Sequence, residues 1–285
     1  MFPPSDLHLY AVVFRLSALH PGAIPGDHGD QARAALFDLI QRGDFPLAQR
    51  LHDLNDHKPY TISLLEGGKR GADRALHFGT GITAHWRFTL LHEPAFEALL
   101  KRYLLSRELP HIRIGALEFT ITDAFASGRS HPESGYTALA DLQTRWNQAT
   151  ESLPPAFILE FCSPTGFNLG QDKTTGERRW RALPEPRLIF SALRKKWARL
   201  GGIDPGDDFD QWVEAHVEAE PMHLETRTVL VERRPLRGFV GRVRFRVRGD
   251  SKWWAVVHLL ADLAFWTGIG YQTTRGMGQV RRISE

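Results

Sequence analysis

The 285-residue chain contains a single cysteine, Cys162. One thiol excludes an internal disulfide and any zinc site built on cysteine pairs. Long apolar runs are missing as well: none approaches the roughly 18 residues a spanning helix needs, so no membrane partner is expected. The opening residues, Met1-Phe2-Pro3-Pro4-Ser5-Asp6, lack a basic region followed by an apolar one. No secretory signal is read there, and a cytoplasmic location is the default expectation. His52 and His57 stand across a helix end rather than on one helical face, which argues against a metal pair. No metal and no cofactor is expected.

What the chain does have is glycine near its end. Gly268, Gly270, Gly276 and Gly278 punctuate the run from Trp266 to Val280 together with Thr273, Thr274 and Arg275. Glycine admits positive φ angles, and a loop poor in side chains can turn successive N–H groups toward an anion. A dinucleotide loop would follow a strand and open a helix, whereas this one follows the apolar run Trp253 to Trp266. A triphosphate loop would need Gly-Lys-Ser/Thr, which is absent. The glycines alone also fit a tight connection between a helix and a last strand.

Charge is uneven. The formal balance is only +3, yet seven arginines and no acid lie between Arg233 and Arg248. Arg242, Arg244, Arg246 and Arg248 alternate with Val243, Phe245 and Val247, so a strand would put the four guanidiniums on one face. Like charges side by side repel. An anionic strand crossing that face would offset the cost; a solvated face paired to acids elsewhere is the other reading. Arg194, Lys195, Lys196 and Arg199 form a second basic group. Clustered arginine suggests a polyanion such as nucleic acid.

The periodicity alternates between two and helical spacing. Leu9–Leu16 reads as a strand with Tyr10, Val12, Phe14 and Leu16 on one face. Asp27 is expected to cap a helix carrying Ala32, Ala35, Leu36, Leu39 and Ile40. A short helix from Asp44 has Pro46 in its first turn. Strands are expected at Tyr60–Leu65, after the Gly79-Thr80-Gly81 turn, and at Ile112–Phe125, with a helix opening at Pro94 between the last two. A loop is expected near Ala126–Gly135. Beyond it the order repeats: strand Phe157–Cys162, helix Pro186–Leu200, strands around Val213–Val217, Leu224–Glu232 and Gly238–Arg248, helix Ser251–Trp266 and a last strand Gln279–Ile283. The predicted fold is α+β, two tandem ferredoxin-like (βαββαβ, RRM-like) domains, at 1–128 and 129–285.

Taken together, the stretches His52-Asp53-Leu54-Asn55-Asp56-His57-Lys58-Pro59-Tyr60-Thr61-Ile62-Ser63-Leu64, Phe161-Cys162-Ser163-Pro164-Thr165-Gly166-Phe167, Leu183–Trp197 and Gly268–Gly278 resemble the CRISPR repeat-RNA processing endoribonucleases of the repeat-associated mysterious protein superfamily. The resemblance implies a metal-independent endoribonuclease that cuts CRISPR precursor RNA within its repeats. The 2′-hydroxyl attacks the adjacent phosphate and leaves a 2′,3′-cyclic phosphate and a 5′-hydroxyl. Repeat RNA is the implied partner, with other interference-complex subunits as further partners; monomer and homodimer stay open. A non-catalytic RNA-binding scaffold of the same superfamily is the alternative, and a small-molecule phosphate enzyme carries little weight.

Such a reaction needs in-line positioning, two proton transfers and stabilisation of phosphorane charge. The resemblance assigns His52 as general acid, with general base as the competing role, and Lys58 as the cation facing the phosphorane. His28, at the start of the first helix, is a candidate for contacting the scissile phosphate or acting as base, because helix N-termini favour anions. His57 is a substitute candidate. Some relatives place a tyrosine on the first helix where this chain has Phe37, so the base is left unassigned. RNA contact is expected from Gly268, Gly270, Thr273, Thr274, Arg275, Gly276 and Gly278, and from Arg242, Arg244, Arg246 and Arg248. Tyr271 and Trp266 are candidates for stacking a base.

Overall fold

The computed structural model describes residues 7–54, 58–104, 110–148, 153–231, 234–249 and 251–283. Asn55, Asp56, His57 and Arg233 lie outside them. The chain divides into two compact units: one holds 8–137 with 274–276, the other 138–273 and 277–283 with Leu7.

The first unit runs β1 (His8–Ala18), β2 (Gly22–Ile24), α1 (Gly29–Gly43), α2 (Phe45–Asp53), β3 (Tyr60–Ile62), β4 (Glu66–Gly67), β5 (Lys69–Arg70), β6 (Leu76–Phe78), β7 (Thr83–Leu90), α3 (Glu93–Leu104), β8 (His111–Ile114), β9 (Leu117–Phe125) and β10 (Gly135–Ala138). Its main sheet has the lateral order β3-β7-β1-β9-β8, every pair antiparallel. Phe14 sits opposite Trp86 in the β1–β7 register. Both are buried with Phe88 and Phe119. The five apolar positions expected on α1 are all buried. Transfer of Leu36, Leu39 and Ile40 from water contributes about 1.5–3 kcal/mol each.

Local chemistry explains the helix starts unevenly. The Asp44 carboxylate accepts from Leu47 N at 2.9 Å, with Pro46 in the first turn of α2 as expected. The cap expected at Asp27 falls instead on His28, which makes no side-chain cap bond.

The second unit runs α4 (Leu139–Gln148), β11 (Ala156–Thr165), β12 (Phe167–Gln171), β13 (Arg178–Arg181), α5 (Pro186–Arg199), α6 (Asp207–His216), β14 (Val217–Val231), β15 (Arg234–Val247), α7 (Trp254–Thr267) and β16 (Val280–Ile283). Its main sheet is ordered β14-β15-β11-β16 and is antiparallel throughout. Phe157, Phe190 and Phe245 meet ring to ring beneath α5. The strand expected at Val213–Val217 is corrected: those residues span the end of α6 and only the start of β14. Phe209 and Val213 point inward from a helix with Asp207, Asp208 and Asp210 in its first turn, where carboxylates suit the positive end. Among the described residues no helix is long and apolar enough to cross a membrane.

Candidate functional site

His52 lies in the last turn of α2, its side chain 75% exposed. Its Nδ1 is 3.5 Å from an Asp53 carboxylate oxygen. The edge of its ring meets Phe37 on α1, centroids 5.9 Å apart. Lys58 reaches the same helix end. Its Nζ donates to the carbonyls of Leu51 and His52 at 3.2 and 2.7 Å. These are among the carbonyls a helix leaves without intrahelical partners, and an ammonium there also meets the negative end of the dipole. Burial first, then the Arg33 charge, pushes the Lys58 ammonium below its ordinary range, against an opposing pull from Asp53. Lys58 therefore fixes the backbone that carries His52. His57 lies outside the described residues.

His28 is placed differently from the expectation. It is fully buried. Nε2 accepts from Leu65 N at 2.8 Å, so Nδ1 carries the proton and donates to the Pro25 carbonyl at 2.7 Å. Burial lowers its pKa, with the Pro25 bond opposing. With both nitrogens committed, His28 joins two loops and is not arranged for proton exchange with a ligand. This corrects its assignment as a phosphate contact or base.

Around α1 the same unit gathers charge, of which the sequence reading named only Arg275. Arg275 approaches Asp30 Oδ1 at 2.9 Å through Nε, and Arg33 stands 3.8 Å from the same oxygen. The Arg275 approach lies off the hydrogen-bonding line, so charge rather than direction holds it. Gly29 makes this possible: a Cβ there would run into the Arg275 carbonyl. Tyr60, at the start of β3, packs its ring against the edge of Phe37 at 5.5 Å.

In the glycine loop all four glycines have positive φ: 63° at Gly268, 83° at Gly270, 89° at Gly276 and 71° at Gly278. Four of the loop's amides, however, turn to the protein. Ile269 N donates to Gly278 O, Tyr271 N to Gly166 O, Met277 N to Gln272 O and Gly278 N to Pro164 O. A Cβ on Gly278 would strike the Ile269 carbonyl. Lys196 Nζ donates to Thr267 O and Gly268 O at 2.8 and 2.9 Å, anchoring the loop's root. Thus Gly270 and Gly278 serve the loop's own close packing onto the Pro164–Gly166 turn, while a Cβ on Gly276 would meet Leu64. Two stretches of the sequence resemblance meet here. Thr273, Thr274 and Arg275 form a single helical turn at its tip. Trp266 is buried, while Tyr271 is half-buried and meets Trp180 edge-on at 5.8 Å with Arg178 over its face at 5.7 Å.

The arginine row is likewise corrected. Arg242 donates to Glu160 at 3.0 Å, Arg246 to Glu220 at 2.8 Å, and Arg248 stands 3.0 Å from Glu218. Arg244 faces Glu220 in the β14–β15 register. Acids on β11 and β14 interleave with the row, and it is not an open cationic face. In the other basic group, Arg194 is buried among Asp204, Asp207 and Asp210.

Comparison with known proteins shows what the chain is similar to. Residues 159–280 match the family model described as CRISPR-associated endoribonuclease Cas6. The CRISPR-associated endoribonuclease Cas6 of Streptococcus thermophilus is 31% identical over 127 residues, 44% of this chain and 49% of that protein. The Mycobacterium tuberculosis protein of the same description is 29% identical over 129 residues, 44% of this chain and 38% of that one. The chain thus matches about half or less of these relatives' length. A product complex of a Thermus thermophilus Cas6 superposes with TM-score 0.75 at 26% identity, covering 96% of this chain and 100% of that one. More particularly, the resemblance read from the sequence stands: the chain is similar to the Cas6 repeat-processing endoribonucleases, in sequence over its second half and in fold over nearly its whole length.

Proposed function

We propose that the protein is an endoribonuclease that cuts CRISPR precursor RNA within its repeats without a metal ion. We read both units as ferredoxin-like. The support is their common plan, strand-helix-strand-strand-helix-strand with the second, third, first and fourth strands side by side.

His52 protonates the departing 5′-oxygen. The observation that carries this is its exposed imidazole, fixed to a helix end whose last carbonyls Lys58 ties down. An imidazole exchanges protons near neutrality, and positioned proton transfer is worth typically about 10²–10⁴-fold. Lys58 acts mainly by orienting that turn, and its ammonium adds positive potential. Thr273, Thr274 and Arg275 contact the RNA from the tip of the glycine loop, which Gly268, Gly270, Gly276 and Gly278 shape. The 2′-hydroxyl is the nucleophile, so no side chain need become covalently attached. Residues 28–60 lie outside the stretch that matches the family model, so the catalytic assignment rests on their geometry and on the fold.

The test is cleavage of the host's repeat RNA in EDTA with a single 2′-deoxy substitution just upstream of the cut. Cutting of the all-ribose strand and none of the substituted strand is expected, with a 2′,3′-cyclic phosphate on the upstream product. Cleavage that survives the substitution rules the mechanism out.

A further inference from the structure

In the last turn of α5, Lys196 is half-buried, with its amine end enclosed. Among the described residues Nζ has two partners, the carbonyls of Thr267 and Gly268 at 2.8 and 2.9 Å. These carbonyls close α7 and open the glycine loop. Thr267 is the helix's last residue, and Gly268 leaves it at φ 63°. A charge enclosed without a counter-charge costs free energy, and a lysine in that position gives up its proton readily.

The acids of the surrounding elements are engaged elsewhere. On α7 the titratable groups are His258 and Asp262, and both meet Arg282. On α6, Asp207 and Asp210 pair with Arg194 and Glu214 with Arg187, while Asp208 is exposed and His216 bonds the Trp212 carbonyl. On β14, Glu218 pairs with Arg248, Glu220 with Arg246, and Glu225 with Arg227 and His223. On α5 itself Arg199 acts on the amine, and it repels a proton. Burial first, then Arg199, lowers the Lys196 pKa to about 7. An ammonium carries three N–H donors. Loss of one proton leaves two, one for each carbonyl.

We infer that Lys196 is a positioning residue for RNA contact: its uncharged amine clasps the Thr267 and Gly268 carbonyls and so fixes how the glycine loop leaves α7. This deepens the RNA-cleaving reading and rests on it, since Thr273, Thr274 and Arg275 stand at the tip of that loop. Protonation adds a charge and a third donor that the two carbonyls do not match. With the clasp open and the amine in water, the pKa returns to its ordinary 10.5. The clasped state thus binds the proton more weakly than the open one. It is weakest below pH of about 7 and strengthens as pH rises from there toward 10.5.

The experiment measures amide exchange of Ile269, Tyr271 and Gly278 in the free protein, corrected for intrinsic rate, and the Kd for repeat RNA. Both are taken at about pH 7 and about pH 9, inside the window where the two states differ in bound protons. The proteins are the parent, Lys196→Arg and Lys196→Met. Protection in the parent should rise at least about tenfold between the two conditions. In Lys196→Arg, which cannot lose its charge, protection should stay flat. Lys196→Met has no donor, so its loop should exchange faster than the parent's at the higher pH. Its Kd there should be about tenfold weaker, the scale of one or two neutral hydrogen bonds. Equal protection at both pH values in the parent overturns the inference, and so does a rise in Lys196→Arg that matches the parent's. A parental Kd in Lys196→Met overturns it as well. Protection that rises as expected in a protein that binds no repeat RNA leaves the clasp standing and removes the RNA reading instead.

Discussion

The two units handle positive charge in opposite ways. In the second unit, Arg242, Arg246 and Arg248 each have a carboxylate partner, and Arg194 has three. In the first, Arg33 and Arg275 approach the same oxygen of Asp30. The denser run of arginine in the sequence is the better neutralised in the fold.

The comparison can be broken at its strongest point. Arg275→Ala should slow cleavage of repeat RNA about 100-fold, the scale of removing one donor to developing charge, in single-turnover assays. A rate within threefold of the parent would erase the contrast between the units. Gly278→Ala should cost about 2 kcal/mol or more in chemical unfolding. It forces a side chain into positive φ and against the Ile269 carbonyl. Retained stability would show that the loop does not need its internal packing.

A third prediction sets the buried histidines side by side. His258 donates to Pro154 O and accepts from Arg282. Burial, then the Arg282 charge, lowers its pKa to about 4. A folded-state pKa below the unfolded one means the unfolded chain binds the extra proton. This contribution is therefore intact above the unfolded value of roughly 6.5 and is lost as pH falls through about 4. Denaturant titrations should show stability falling across that window, with a shallower fall in His258→Gln. His28, lowered in the same direction by burial, predicts a parallel loss in the first unit.

The smallest effect belongs to the arginine row. Arg246→Ala should change stability by less than about 1 kcal/mol, because exposed ion pairs contribute little. Cleavage by that variant should stay within threefold of the parent. A large loss of RNA binding, with a shallower salt dependence, would restore the row as a contact surface.

These contrasts also show which parts of the molecule could be read from the chain. The inward face of α1 was legible because Ala32, Ala35, Leu36, Leu39 and Ile40 repeat at helical spacing, and burial follows that spacing directly. The hairpin β12–β13 left little trace, since its strands are mostly exposed and β13 is arginine-rich. α6 was missed although Phe209 and Val213 keep helical spacing, because the run Val213–Val217 also fits a strand. Pairing of Glu218 and Glu220 with the arginine row depends on the β14–β15 register, which no local pattern dictates. Likewise the burial of His28 arises from elements distant in sequence. His52 and Lys58 were named through a resemblance; the fold adds that the lysine holds the turn on which the histidine stands.

The account turns on His52, and single-turnover cleavage by His52→Ala at saturating repeat RNA tests it most directly. The predicted result is RNA affinity equal to the parent's with cleavage slowed at least about 100-fold. Cleavage at the parental rate would contradict it.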